Sequence, residues 1–182
     1  VAAGNIMFNG GTLRYTGITT ATNRGFTVAA GGGTYEIPTA ASAVTVSGVM
    51  AGSGAFAKTG LGTLVLAGTN TYSGTLTISA GTLQVGAGDV TGTLGTATVV
   101  NNATLAFNRS NDVTVANAIS GIGNLVKAGT NTRTLTGALS YTGNTTVDGG
   151  TLRVSPATFT GGFTVNSGST LAPVYEATAA SL

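Results

Sequence analysis

The sequence predicts an all-β fold, a single-stranded parallel β-solenoid. Three observations lead there: a Gly- and Thr-rich composition without helix signals, short segments with period-two alternation, and a Gly-Thr-Leu phrase that returns at long, regular spacings. Of 182 residues, 30 are Gly and 35 are Thr. Gly interrupts every stretch long enough to be a helix, at about 1 kcal/mol each relative to Ala. Thr, Val and Leu punctuated by Gly suit short strands and tight turns. The 42% hydrophobic content and mean hydropathy of +0.36 exclude a disordered chain.

The strands are read from alternation. Thr63-Leu64-Val65-Leu66, Thr75-Leu76-Thr77-Ile78 and Thr82-Leu83-Gln84-Val85 place small polar and large apolar residues on opposite sides, as do the segments around Val113-Thr114-Val115 and Thr145-Thr146-Val147. Period two means one buried and one wet side. The predicted core is Leu64, Leu66, Leu76, Ile78, Leu83, Val85, Val113, Val115, Leu135, Val147, Leu152 and Val154.

Repetition sets the architecture. The Gly-Thr-Leu phrase and its looser copies put Thr at 12, 34, 82, 104, 151 and 170, with steps of 22, 48, 22, 47 and 19. The long period is 69 to 70. Independently, Lys58, Gly60, Leu66, Tyr72, Gly74, Gly81, Leu83 and Val85 return 69 residues later as Lys127, Gly129, Leu135, Tyr141, Gly143, Gly150, Leu152 and Val154. A step near 22 fits one rung of three short strands, and the step near 48 reads as two rungs. One solenoid over 1–182, with 22–24 residues per rung, gives about eight rungs and a rod of roughly 38 Å. Gly60, Gly74, Gly81, Gly129, Gly143 and Gly150 are the predicted corner glycines. A further copy beyond Leu182 would fall one rung after Thr170, so the ends are expected to complete each other. The start at Val1 implies processing or excision from a longer chain.

Composition excludes several functions. With no Cys, His or Trp, there is no thiolate or imidazole catalysis and no disulfide framework. Seven cations against five acids leave too little clustered charge for nucleic acid. No apolar run is long enough for a transmembrane helix, so no membrane insertion by this segment is expected. There is no basic n-region followed by an apolar h-region of a signal peptide.

Residues 54–85 and 123–154 resemble the autotransporter-associated β-strand repeat, also called the passenger-associated transport repeat. Lys58, Gly60, Gly62, Leu64, Leu66, Gly68, Asn70, Thr71, Tyr72, Gly74, Gly81, Thr82, Leu83 and Val85 follow its pattern. The second copy departs at Asn131, Arg133 and Leu139, where the family has Gly, an apolar residue and Asn. The resemblance implies a right-handed β-helix within a secreted or cell-surface passenger of a Gram-negative-type bacterium.

The chemistry-bearing residues are few. Asp89 and Asp112 lie 23 apart, about one rung, and are the candidates for a stacked carboxylate pair or half a metal site. As Gly88-Asp89 and Asn111-Asp112 they read more simply as turn residues. Arg14, Gln84 and Arg153 are expected in one solvated outer column. Lys58 and Lys127 are expected to keep the surface soluble and to discourage edge association. Tyr72 and Tyr141 suit core packing or a corner hydrogen bond better than sugar stacking. Tyr15, Tyr35 and Tyr175 add to the aromatic supply. The expectation is a non-enzymatic extracellular solenoid without a cofactor, a surface stalk or adhesin segment or a filament subunit. Its partners are further copies stacked end to end, or the flanking parts of a longer passenger. The alternative is a polysaccharide-binding or polysaccharide-degrading β-helix with a surface glycan as partner.

Overall fold

A computed structural model of the chain describes residues 5–154 and 161–173. Among the described residues there are 21 strands of two to five residues and no helix, and the strand pairs are parallel. They form sheets of three, six, eight and four strands, which together make the three faces of a β-solenoid.

The second face carries Gly11–Arg14, Gly33–Glu36, Phe56–Thr59, Thr75–Ile78, Thr98–Asn101 and Ile119–Ser120. The third face is the eight-stranded sheet that runs from Thr20–Thr22 to Phe163–Val165, and it counts eight turns. The first face is split. Ile6–Phe8, Phe26–Val28 and Met50–Gly52 form its early part, and Val113–Val115, Thr132–Leu135, Thr151–Val154 and Thr170–Pro173 its late part. Irregular segments bridge the two. Thr71 N donates to Met50 O (3.0 Å) and Thr96 N to Tyr72 O (2.9 Å).

Parallel stacking places like residues on like. Val44, Leu64, Leu83, Leu105 and Leu125 form one inward column of the third face. Thr63, Thr82 and Thr104 form a ladder beside it. No turn can bury its own inner side, so each turn covers its neighbours. At the early end the filling is aromatic: Phe26 and Phe56 stack at 5.3 Å, and Phe8 meets both edge-on. All of the predicted core residues are buried except Val113, which is half-buried.

The turns are more variable than the repeat suggests. Thr20 pairs with Val44, Leu64 with Leu83, and Thr145 with Phe163, so one turn takes 24, 19 or 18 residues. Most are shorter than 22–24, because corners need only a few residues. The 69-residue repeat therefore advances three turns and one further face. Lys58 lies on the second face, in Phe56–Thr59, and Lys127 on the third, in Asn124–Ala128. The step from Thr34 to Thr82 is likewise two turns plus one face, since Thr34 pairs with Ala57, Ala57 with Thr77, and Thr82 lies on the next face. Arg14, Gln84 and Arg153 consequently fall on three different faces and form no column. Tyr175 and the fit of the two ends lie outside the described residues.

The corner glycines serve two physical ends. Gly81 and its repeat mate Gly150 adopt φ of +65° and +61°, a region an L side chain rarely enters. Gly74 and Gly143 do not, but a Cβ on either would run into a carbonyl oxygen of the preceding turn, that of Gly54 or Gly123.

Candidate functional site

The repeat residues build an internal polar frame. Lys58 is fully buried, inward from its strand, in a column with Tyr35 and Ile78. Its ammonium donates to the carbonyls of Thr59 (2.9 Å), Gly60 (2.9 Å) and Ala80 (3.2 Å). Lys127 repeats this with Ala128 (2.9 Å), Gly129 (2.9 Å) and Gly149 (3.0 Å). Two acceptors lie in the lysine's own corner and one in the corner of the following turn, so each lysine caps a bend and staples it to its neighbour. The expected role as a solubilising surface residue is overturned. The period-two pattern of Phe56-Ala57-Lys58 marked this inward direction. Burial pulls both lysines down to about 8.

The tyrosines are internal too. Tyr72 is buried, and its hydroxyl donates a hydrogen shared between Gly54 O (2.6 Å) and Thr75 O (2.8 Å). Tyr141 is buried, with its hydroxyl 2.6 Å from Thr145 Oγ1. Burial pushes both phenols up to about 12. Asn70 spans three turns: its Oδ1 accepts from Met50 N (2.7 Å) and its Nδ2 donates to Thr93 O (2.7 Å).

The acids do not assemble. Asp89 Oδ1 accepts from Thr91 N (2.8 Å) and Thr91 Oγ1 (2.6 Å), which holds its carboxyl below the usual range. Asp112 Oδ1 accepts from Thr132 N (2.7 Å) in the next turn. Each carboxylate closes a backbone turn or junction, and among the described residues no three metal-ligating acids gather. The backbone of Asp89 stacks on Ser110, not on Asp112. Arg14 pairs with Glu36 at 3.4 Å on the surface.

A different group of residues makes a cleft. Where the first face is irregular, turns five and six separate, leaving a cavity of about 320 Å³ lined by Val85, Leu94, Phe107, Val113, Val115 and Arg133 among others. Strand Val113–Val115 is paired on one side only, with Thr132–Leu135. At one end of the opening, Asn117 Nδ2 donates to Gly95 O (3.2 Å) and Ala97 O (2.8 Å). At the other, Ser110 N donates to Asp89 O (2.9 Å). Val113 is only half-buried because it lines this opening.

Arg133 lies at the bottom. It is 1% exposed, and its Nε and Nη2 have no hydrogen-bond partner. Its guanidinium carbon lies 5.0 Å from the centroid of Phe107, a cation–π contact. Neighbouring Arg109 donates to Gly92 O (2.6 Å), Val90 O and Asn111 Oδ1 (2.9 Å), so it is spent on backbone and amide carbonyls. Burial first, then the charge of Arg109, lowers the Arg133 pKa to about 10, and it stays protonated at neutral pH. In sequence, Arg133 takes the place that Leu64 holds in the first repeat, 69 residues earlier. That departure was visible; that it stands beneath an opening was not.

The architecture and its repeated Lys-Gly corners define the class. Residues 56–85 and 125–154 match the passenger-associated transport repeat, and the chain is an autotransporter-passenger repeat protein. Over 187 aligned residues, covering 85% of the chain, it is 39% identical to the adhesin BmaC autotransporter of Brucella suis biovar 1 (strain 1330). The match spans 6% of that relative's length. No solved structure matches the chain.

Proposed function

We propose that the chain is a segment of an extracellular passenger, a non-catalytic solenoid stalk within a larger surface adhesin of a Gram-negative-type bacterium. The observation that carries this is a face of eight successive turns in one sheet, with the motif residues turned inward and spent on internal contacts. Lys58, Lys127, Tyr72, Tyr141 and Asn70 face inward and bind backbone or neighbouring side chains. Identity to an adhesin over most of the chain supports the same reading. The polysaccharide alternative loses support, because Asp89 and Asp112 are engaged in turns and the repeat tyrosines are buried.

The test is surface display. The chain is placed between a secretion signal and an outer-membrane translocator barrel, with an epitope at its N-terminal side. Intact cells are expected to bind antibody, and external protease to remove the epitope. An epitope trapped in the periplasm would overturn the reading.

End-to-end stacking is a second reading. The eight-stranded sheet ends on strands paired on one side only, Thr20–Thr22 and Phe163–Val165. Those edges suit either flanking passenger turns or another copy, in a heterologous contact that makes fibres. Electron microscopy at high concentration decides: long rods with a spacing near 4.8 Å mean stacking, and short particles mean a stalk segment.

A further inference from the structure

The cleft between turns five and six has no part in stacking the solenoid, and its chemistry is unbalanced. Elsewhere in the described core, the long polar side chains Lys58, Lys127 and Arg109 spend their hydrogens on carbonyls. Arg133 is as deeply buried, yet two of its nitrogens are unpartnered. Burying an unpaired charge is strongly unfavourable, and a hydrogen-bonded counter-ion is what relieves it. The acids of this region supply none, since Asp89 is held by Thr91 and Asp112 by Thr132. The rest of the lining is mainly apolar, with Val85, Leu94, Phe107, Val113 and Val115, and its uncharged polar residues, such as Thr96 and Asn117, carry no negative charge. A volume of about 320 Å³ lies at the small end of small-molecule sites, which typically combine apolar walls with few polar anchors.

We propose that this cleft binds a small organic carboxylate with an apolar body, such as a medium-chain alkanoate or an aromatic acid, with its carboxylate on the guanidinium of Arg133. A guanidinium presents a planar fork of donors that matches a carboxylate. The apolar part then lies against Leu94, Val113 and Val115, at the open edge of strand Val113–Val115.

The test uses the whole purified chain and two probes, octanoate and benzoate, with octanol as the neutral control, followed by amide NMR shifts. At least one acid is expected to give saturable shifts confined to residues 92–97 and 113–117, with octanol at least tenfold weaker. Arg133→Leu is expected to lose binding at least tenfold and to melt at a higher temperature, since it removes an unpaired buried charge. Val113→Trp fills the cleft while leaving Arg133 in place, and is expected to lose binding as well. The proposal is overturned if neither acid saturates at millimolar concentration, if octanol binds as tightly, or if Arg133→Leu retains affinity. A lower melting temperature for Arg133→Leu would also sink it, because the arginine would then be a structural element of the fold.

Discussion

At the scale of single residues, the two lysines determine more than their number suggests. Each places a charge in the core and satisfies it with three backbone carbonyls. Lys58→Met keeps the length and apolar stem but takes the ammonium from the carbonyls of Thr59, Gly60 and Ala80, of which Thr59 O retains Ile37 N (3.1 Å). A loss of about 3 kcal/mol is expected in urea denaturation. A surface lysine would change stability by about 0.5 kcal/mol or less, so the measurement separates the two roles. The same residues set a pH dependence. Lys58 and Lys127 titrate near 8 in the fold against 10.5 ordinarily. Between those values the unfolded chain holds more protons, so stability rises with pH. Tyr72 and Tyr141 titrate near 12 against 10.0, and Tyr35 is also raised. Above pH 10 the folded chain holds more protons on these phenols and stability falls. Arg133, lowered to about 10, and Arg109, also lowered by burial, oppose them as two groups against three. Thermal melts are expected to improve from pH 7.5 and to peak near pH 10. The rise below the peak is expected to vanish in the Lys58→Met, Lys127→Met double variant.

At the scale of elements, a corner is a close approach of two backbones. Gly74 is conserved between the two repeats as Gly143, and each faces a carbonyl of the turn before it. Gly74→Ala must push that carbonyl away from its position, a change of about 1–3 kcal/mol for forcing atoms into filled space. Urea midpoints of Gly74→Ala and Gly143→Ala check this, and unchanged midpoints would mean the corners yield freely. The elements also show what was legible beforehand. The inward residues of strands such as Thr63–Leu66 and Thr82–Val85 followed from period two alone, because one face is always buried. The assignment of strands to faces did not. All three faces share the same alternation and the same Gly-Thr-Leu opening, so nothing in Thr12, Thr82 or Thr151 says which face it occupies. Turn lengths of 18 to 24 residues then shift the repeat by one face in each cycle. That shift scatters Arg14, Gln84 and Arg153 over three faces, whereas Asp89 misses Asp112 because its backbone meets Ser110 in the next turn. The cleft was half legible: Arg133 stood out as a charge in an apolar slot, while the gap above it depends on an irregular segment at 92–97 that no period describes.

At the scale of the whole molecule, a solenoid is a one-dimensional chain of turns whose stability sums nearest-neighbour junctions. The junctions here are unequal. Between turns five and six the third face is strongly joined, with five residue pairs from Thr104–Asn108 to Asn124–Ala128. The second face adds two, Val99 with Ile119 and Val100 with Ser120. The first face, by contrast, is open at the cleft, and Val113–Val115 has a partner on one side only. In a parallel ladder the amides of a strand alternate between its two neighbours, so this strand directs part of its hydrogen bonding into the opening. Such a site should open locally at low free energy while the rest of the rod stays closed. Native-state hydrogen exchange is therefore expected to show a minimum of protection at 113–115, flanked by strong protection in Thr104–Asn108 and Thr132–Leu135. A bound carboxylate should raise protection at that minimum more than anywhere else in the rod. If 113–115 exchange as slowly as Thr104–Asn108 in the free protein, turns five and six close fully in solution, and the unequal junction is not a property of the molecule.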